Sequence, residues 1–344
     1  MKNIKTANRV SRLKFDKQFF GDFWQLLKPY WISEEKWSAF SLLVLNIFCT
    51  VVGVRATVAF NTFNKDFFDA LQNFNKTALT TALLHFVIIV TVLILSYGYA
   101  FYFNGVLSIR WRRWLTKNFL NKWLNDHTHY QRQLHNNVDN PDQRISEDIE
   151  SFPQTTLTII FLIFNSLLSL ASFGYILWHM SGDLPITLGT FHIEIHGYLF
   201  WGALSCGIVS TLITAWIGKK LASLDYQQQY FNADFRFALV RLRESSEQIA
   251  MYRGEAFENN RFAHLFNKIF NNFLNITTLK KRLRFFTSGY NAAAYLLGIF
   301  MAIPLYLQKK VQLGGMMAIS GAFSSVIGAF SMLIDAFSSF AEWC

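Results

Sequence analysis

An all-α membrane protein, with six transmembrane helices continued by long cytoplasmic helical extensions, is the fold class this 344-residue sequence predicts. Three observations carry the reading: an apolar composition, six uncharged runs of membrane-spanning length, and a charge pattern that alternates between the runs. The residues are 52% hydrophobic and 17% aromatic but only 16% charged, too apolar for a soluble domain of this size. A hydrocarbon core of about 30 Å is crossed by about 20 apolar helical residues. Runs of that length cover residues 37–61, 79–104, 154–180, 195–218, 285–307 and 313–340, and within them Arg55 and Asp335 are the only Lys, Arg, Asp or Glu.

The net charge of +10 invites a nucleic-acid reading until its distribution is followed. Of 32 Lys and Arg, eight fall in 1–36, seven in 105–153 and twelve in 219–284. The short connections 62–78, 181–194 and 308–312 hold only Lys65, Lys76, Lys309 and Lys310. This is the positive-inside pattern, so both termini and the two long loops are expected in the cytoplasm and the three short loops outside. The basic stretches then need no nucleic acid as a partner; a lipid bilayer suffices. Cys49 and Cys206 lie inside spans and Cys344 is the last residue, which reads as packing rather than a disulfide framework. No cleavable signal peptide is evident ahead of the first span.

Residues 1–36 read as a cytoplasmic N-terminal segment. Phe15, Phe19, Phe20, Phe23, Trp24 and Leu27 share one helical face, with Lys14, Lys17, Asp22 and Lys28 elsewhere, as an interfacial elbow helix would have them. The two inner loops, of about 50 and about 65 residues, are too long for structureless connectors. Their helical composition, broken clearly in the first loop only at Asn140-Pro141, predicts that spans two to five continue as helices beyond the membrane.

Two strings in these loops carry the most information. Residues 138–152 read VDNPDQRISEDIESF. Asn140-Pro141 ends one helix there, and Asp142 or Ser146 is placed to cap the next, whose first turns hold Glu147, Asp148 and Glu150 where the dipole favours acids. Residues 231–255 read FNADFRFALVRLRESSEQIAMYRGE. The charges of Arg241, Arg243, Glu244 and Glu247 stand three and four apart, a spacing that also suits simple pairs along a solvated helix.

The first string resembles the asparagine-proline-aspartate-glutamine signature of the ABC permeases found in peroxisomal fatty-acyl half-transporters (subfamily D) and their bacterial relatives. The residues concerned are Asn140, Pro141, Asp142, Gln143, Arg144, Glu147 and Asp148. The second resembles the second coupling region of the same family through Arg241, Arg243, Glu244, Glu247, Ile249, Tyr252 and Gly254. Further matches, NKDFFDALQ at 64–72 and GGMMAISGAF through FAEW at 314–343, extend the resemblance over nearly the whole chain, nearest to the bacterial SbmA/BacA-type peptide-antibiotic and cobalamin or bleomycin uptake proteins. The resemblance implies an ABC exporter-type transmembrane domain over 37–344. It further implies a homodimer in a bacterial inner membrane, and a coupling helix at each hairpin tip for a nucleotide-binding domain. The substrate would be peptide-like or otherwise amphipathic.

No GxxxxGK[ST] phosphate loop occurs, and the sequence ends after the last span. ATP and magnesium are therefore expected on a partner ATPase domain, with no cofactor and no catalytic residue on this chain. The alternatives are a proton-coupled SbmA-like carrier without ATPase, or a truncated remnant of a full half-transporter. For the first of these Arg55 and Asp335 are the membrane-embedded candidates, although each is expected near a helix end, where it could reach water. His192, Glu194 and His196 alternate in an outer loop; with no fourth ligand apparent they read as loop polarity rather than a metal site.

Overall fold

The computed structural model describes residues 17–125, 144–182, 184–188 and 191–343. The helices are α1 (Lys17–Ile32), α2 (Lys36–Gln72), α3 (Lys76–Leu124), α4 (Ile149–Met180), α5 (Tyr198–Gly218), α6 (Leu221–Glu244), α7 (Ser246–Met251), α8 (Glu255–Leu307) and α9 (Leu313–Trp343). A π-helical turn, Arg144–Asp148, leads into α4. One antiparallel hairpin, β1 (Leu184–Leu188) with β2 (Phe191–Ile195), precedes α5. Among the described residues, six stretches are long and apolar enough to cross a membrane: α2, α3, α4 with its π turn, α5 running into α6, α8, and α9. The fold class is as the sequence predicts.

Three local expectations are corrected. Residue 195, placed at the start of the fourth span, ends strand β2, and the helix starts at Tyr198 after Gly197 turns the chain at φ 72°. The first outer loop shrinks to residues 73–75, because α2 keeps its helix through the polar stretch NKDFFDALQ. Ser146 does not cap α4: it lies inside the π turn, and Asp148 at the N-cap has helical dihedrals and no side-chain cap bond. Asp142 is outside the described residues.

The chain divides into two compact units. In the first, Leu13–Ile208 with Ala293–Cys344, α9 is the central rod, with Ala318, Ile319, Ala322, Phe323, Val326 and Ile327 buried. Helices in lipid gain nothing from hiding apolar surface from one another, so small residues and interhelical hydrogen bonds hold them. Added Cβ atoms show how close the approach is: one at Gly298 would lie 2.7 Å from the Ser320 Cα, and one at Gly321 2.3 Å from the Asn61 Oδ1. The Asn61 amide donates to the Ala318 carbonyl at 3.1 Å, and the Ser320 hydroxyl to the Tyr295 carbonyl at 2.6 Å. Helices α2 and α3 form an antiparallel pair held by the Asn46 amide on the Ala100 carbonyl and by Phe60 and Phe63 against Phe86.

At the short-connection end of this unit, α2 caps α9. The Asp69 carboxylate accepts from the Gly314 N–H at 2.8 Å, the Gln72 side chain accepts from the Leu313 N–H at 2.9 Å, and the Asn73 amide donates to Gln312. These are backbone donors that a helix start leaves without partners, and a carboxylate there also meets the positive end of the dipole. Gly314 is required by the closeness of the approach, since a Cβ would sit 1.9 Å from the Lys65 carbonyl oxygen.

At the other end, α1 is fastened by aromatic rings. Tyr30 stacks on Trp111 at 5.5 Å and 10°, and Trp111 meets Phe152 edge-on at 5.5 Å, in a core with Ala39, Leu107, Leu115, Ile149 and Leu157. A helix does form ahead of the first span, but its packed face is Phe23, Leu27, Tyr30 and Trp31, while Trp24 points away. Ion pairs Arg113–Glu35 (2.8 Å) and Arg112–Glu150 (2.9 Å) rim this core, and Arg110 donates to the Ser38 hydroxyl. Burial pushes the Tyr30 hydroxyl up to about 12; Glu35 adds to the rise, and Arg110 and Arg113 oppose it.

In the second unit, Val209–Ala292, α6 runs antiparallel to the first part of α8. Buried Asn272 donates to the Leu224 carbonyl and the Gln228 side chain, and Phe235 packs edge-on against Phe262.

The capping of α9 by α2 is testable. Gly314→Ala forces a steric conflict with backbone and is expected to destabilise the fold by ~2–3 kcal/mol. Asp69→Ala, which removes one charge-assisted bond, should cost ~1–2 kcal/mol. Thermal unfolding in detergent checks the order: Gly314→Ala should fall furthest, Asp69→Ala next, and exposed Thr80→Ala least.

Candidate coupling tips and membrane-embedded polar groups

The tip between α6 and α8 is a compact helical turn. Helix α6 ends where Ser245 departs to φ −104°, and α7 restarts for six residues. It closes with a Schellman motif: the Arg253 N–H donates to the Ala250 carbonyl at 3.2 Å, and the Gly254 N–H to the Ile249 carbonyl at 2.9 Å. The left-handed position is occupied by Arg253 (φ 51°), one residue ahead of the glycine. Gly254 instead stands against Ile249, where a Cβ would meet its Cγ2 at an ordinary 3.6 Å. Of the coupling residues read from the sequence, Ile249 is thereby a packing residue of the turn.

The remainder faces outward. Arg241, Arg243, Glu244 and Glu247 are exposed, and among the described residues none of them is in an ion pair, so the spacing that suits intrahelical pairing is not used for it. Beside them Met251, Tyr252 and Phe257 are 78%, 87% and 73% exposed. A rigid turn with unpaired charges and bare large apolar side chains has the composition of a protein-binding surface.

Of the first inner loop, residues 126–143 lie outside the described residues. Asn140, Pro141, Asp142 and Gln143 lie outside the described residues, as does the side chain of Arg144. Glu147 is exposed in the π turn and Asp148 follows it into α4. Glu150, one turn on, pairs with Arg112 of α3 and ties the start of α4 to the aromatic core.

Arg55 is not near a helix end. It is the twentieth residue of a 37-residue helix, with Lys36 and Gln72 roughly 25 Å or more away along the axis. Gly53, Val54 and Ala56 beside it are buried, whereas Arg55 is exposed and has no partner among the described residues. Asp335 lies in α9, with its side chain outside the described residues. His192 and Glu194 occupy alternate register positions of β2, opposite Thr187 and Pro185, and His196 follows in the turn. Cys49 and Cys206 are both half-buried.

The sequence reading overlooked the ionisable groups facing a cleft of about 310 Å³ between α2 and α3, lined by Ala59, Thr62, Phe63, Asp66, Ala82, His85, Ile88 and Ile89. His85 lies inside the second apolar run, where a search for Lys, Arg, Asp and Glu does not register histidine, and Asp66 lies beyond residue 61, where the first uncharged run ends.

Comparison with known proteins agrees with this geometry. Residues 26–307 match the family model described as ABC transporter transmembrane region 2. The chain is 32% identical over 308 residues to ABC transporter D family member 2, chloroplastic, of Arabidopsis thaliana, covering 90% of this chain and 42% of that protein. It is 32% identical over 302 residues to the inner membrane ABC transporter ATP-binding protein YddA of Escherichia coli, covering 87% and 54%. It is 25% identical over 258 residues to the lysosomal cobalamin transporter ABCD4 of Homo sapiens, covering 73% and 39%. The chain thus spans about half the length of these relatives or less. Six apolar helices, motifs in order along the chain and a family match over most of its length place this chain in the ABC transporter transmembrane family, as a membrane region of the subfamily D half-transporter type.

Proposed function

We propose that this chain is the permease part of a homodimeric ABC half-transporter that moves peptide-like or other amphipathic solutes by alternating access. Its energy comes from ATP hydrolysis on a nucleotide-binding domain, which holds ATP and magnesium, and no catalytic residue resides in these helices. The membrane is a bacterial inner membrane, as the name of the Escherichia coli relative indicates for that protein, with both ends of the chain cytoplasmic. The observation that carries the reading is the α6–α8 tip. A Schellman-closed turn presents Arg241, Arg243, Glu244, Glu247 and Tyr252 with no partner inside the described chain. By the family resemblance, the string Asn140 to Asp148 serves the same coupling role in the first inner loop. Two copies are needed because six helices make half of a transport cavity, and a two-fold axis closes it.

Two measurements test this. Glu247→Arg reverses a charge at the exposed tip, so it should abolish stimulation of the partner's ATP hydrolysis while the protein still folds, and Asp335→Asn should be mild. Proteoliposomes with an imposed pH gradient, with and without ATPase and ATP, provide the contrast. Gradient-driven uptake by the isolated chain, lost on Asp335→Asn, would sink ATP coupling in favour of the proton-coupled reading.

The turn itself should answer to backbone chemistry. A non-glycine residue in the left-handed region costs about 1 kcal/mol, so Arg253→Gly should leave amide exchange of 246–254 as slow as before or slower. Arg253→Val, with a β-branched side chain at φ 51°, should speed that exchange and lower ATPase stimulation with it.

A further inference from the structure

The cleft between α2 and α3 opens where a small side chain stands on each helix. Ala59 of α2 and buried Ala82 of α3 leave unfilled the space that Phe60, Phe63 and Phe86 fill beside them. About 310 Å³ is the lower end of the range for small-molecule sites, which are mostly apolar with a few convergent polar groups. Here the apolar part is Ala59, Ala82, Ile88 and Ile89, and the polar part is Asp66, His85 and Thr62.

The chemistry is that of a cation site. Asp66 has no ion-pair or hydrogen-bond partner among the described residues, although Lys65 precedes it in sequence. The Thr62 hydroxyl donates to the Val58 carbonyl at 3.2 Å, which leaves its lone pairs free to accept. Phe63 adds a ring face of the kind that attracts a cation. Every polar group in the cleft except a protonated imidazole is an acceptor, and the lone formal charge is negative.

Depth narrows the ligand further. Asp66 lies six residues before the end of α2 and His85 nine residues after the start of α3, roughly 9 and 14 Å from the turn that joins them. His85 lies inside the apolar run 79–104 and Asp66 five residues beyond the run 37–61, so the cleft stands where uncharged sequence gives way to polar sequence. A ligand suited to it has a charged end and an apolar body.

We propose that this cleft binds the ammonium group of an amphipathic amine, with Asp66 as counter-ion, Thr62 and His85 as hydrogen-bond partners and Ile88 and Ile89 against the apolar part. The amine is either a soluble amphiphile or the headgroup of an aminophospholipid. The site stands apart from ATP coupling, since binding alone is claimed.

The test uses the full chain in nanodiscs. In nanodiscs of phosphatidylcholine alone, titration with 2-phenylethylamine should saturate. 2-Phenylethanol, which keeps the ring and chain but lacks the charge, should bind at least about tenfold more weakly, as should the amine to Asp66→Asn. In mixed nanodiscs, native mass spectrometry should show phosphatidylethanolamine retained over phosphatidylcholine and lost in Asp66→Asn. Either arm alone supports the site and identifies its source. Ala59→Leu, which fills the cleft and keeps every charge, should abolish both signals and carries the test should Asp66→Asn not fold. Amine and alcohol binding alike, or binding and retention unchanged by both substitutions, overturns the proposal whatever the outcome of any ATPase assay.

Discussion

The close approach of α9 to its neighbours is the interaction on which the membrane-embedded part depends. Lipid is as apolar as a leucine side chain, so nothing like the aqueous hydrophobic effect gathers helices that are already inserted. What gathers them here is contact at backbone range, with Gly314 against α2, Gly321 against Asn61 and Gly298 against Ser320. Each glycine comes with a hydrogen bond nearby, from Gly314, Asn61 and Ser320 respectively, so close packing and polar satisfaction are achieved by the same residues. Enlarging one of these residues would separate the helices and break the bond together.

A second constraint is the thickness of the bilayer. Helix α8 has 53 residues and is about 80 Å long, against a hydrocarbon core of about 30 Å. The excess must sit in water, and its composition agrees: residues 255–284 carry every Lys, Arg, Asp and Glu of the helix, and 285–307 carry none. A long helical arm is only as useful as its end is rigid. The end between α6 and α8 is made rigid by backbone hydrogen bonding around Arg253, while the side chains there are left uncommitted. That combination suits a surface that must transmit a movement to a partner.

Much of this was legible in the sequence, because the number of spans follows from the length of uncharged runs and the loop lengths follow from what lies between them. A helix ahead of the first span is legible from aromatic spacing, although its packed face is rotated towards Tyr30 and Trp31, whose partner Trp111 lies about 80 residues away. What escaped depended on distance in sequence or on where a helix ends. The strings at 64–72 and at 314 onward could be recognised as familiar, but their meeting through Asp69 and Gly314 is a tertiary fact. The first uncharged run ends at residue 61, which by itself puts Arg55 close to a helix end and Asp66 in a loop, whereas α2 continues to Gln72. Polar residues do not stop a helix whose carbonyls are satisfied, and NKDFFDALQ contains neither glycine nor proline. The fourth apolar run begins at Ile195, and hydropathy does not distinguish a strand end from a helix start.

The direct test of this arrangement is the sidedness of the two kinds of connection. Single cysteines at Glu247 and at Phe74, in a background without Cys49, Cys206 and Cys344, would be labelled with an impermeant maleimide in intact cells and in inverted vesicles. Glu247→Cys should react only in inverted vesicles and Phe74→Cys only in intact cells. Labelling of both from the same side would contradict the assignment of the long helical hairpins to the cytoplasm and of the short turns to the opposite face.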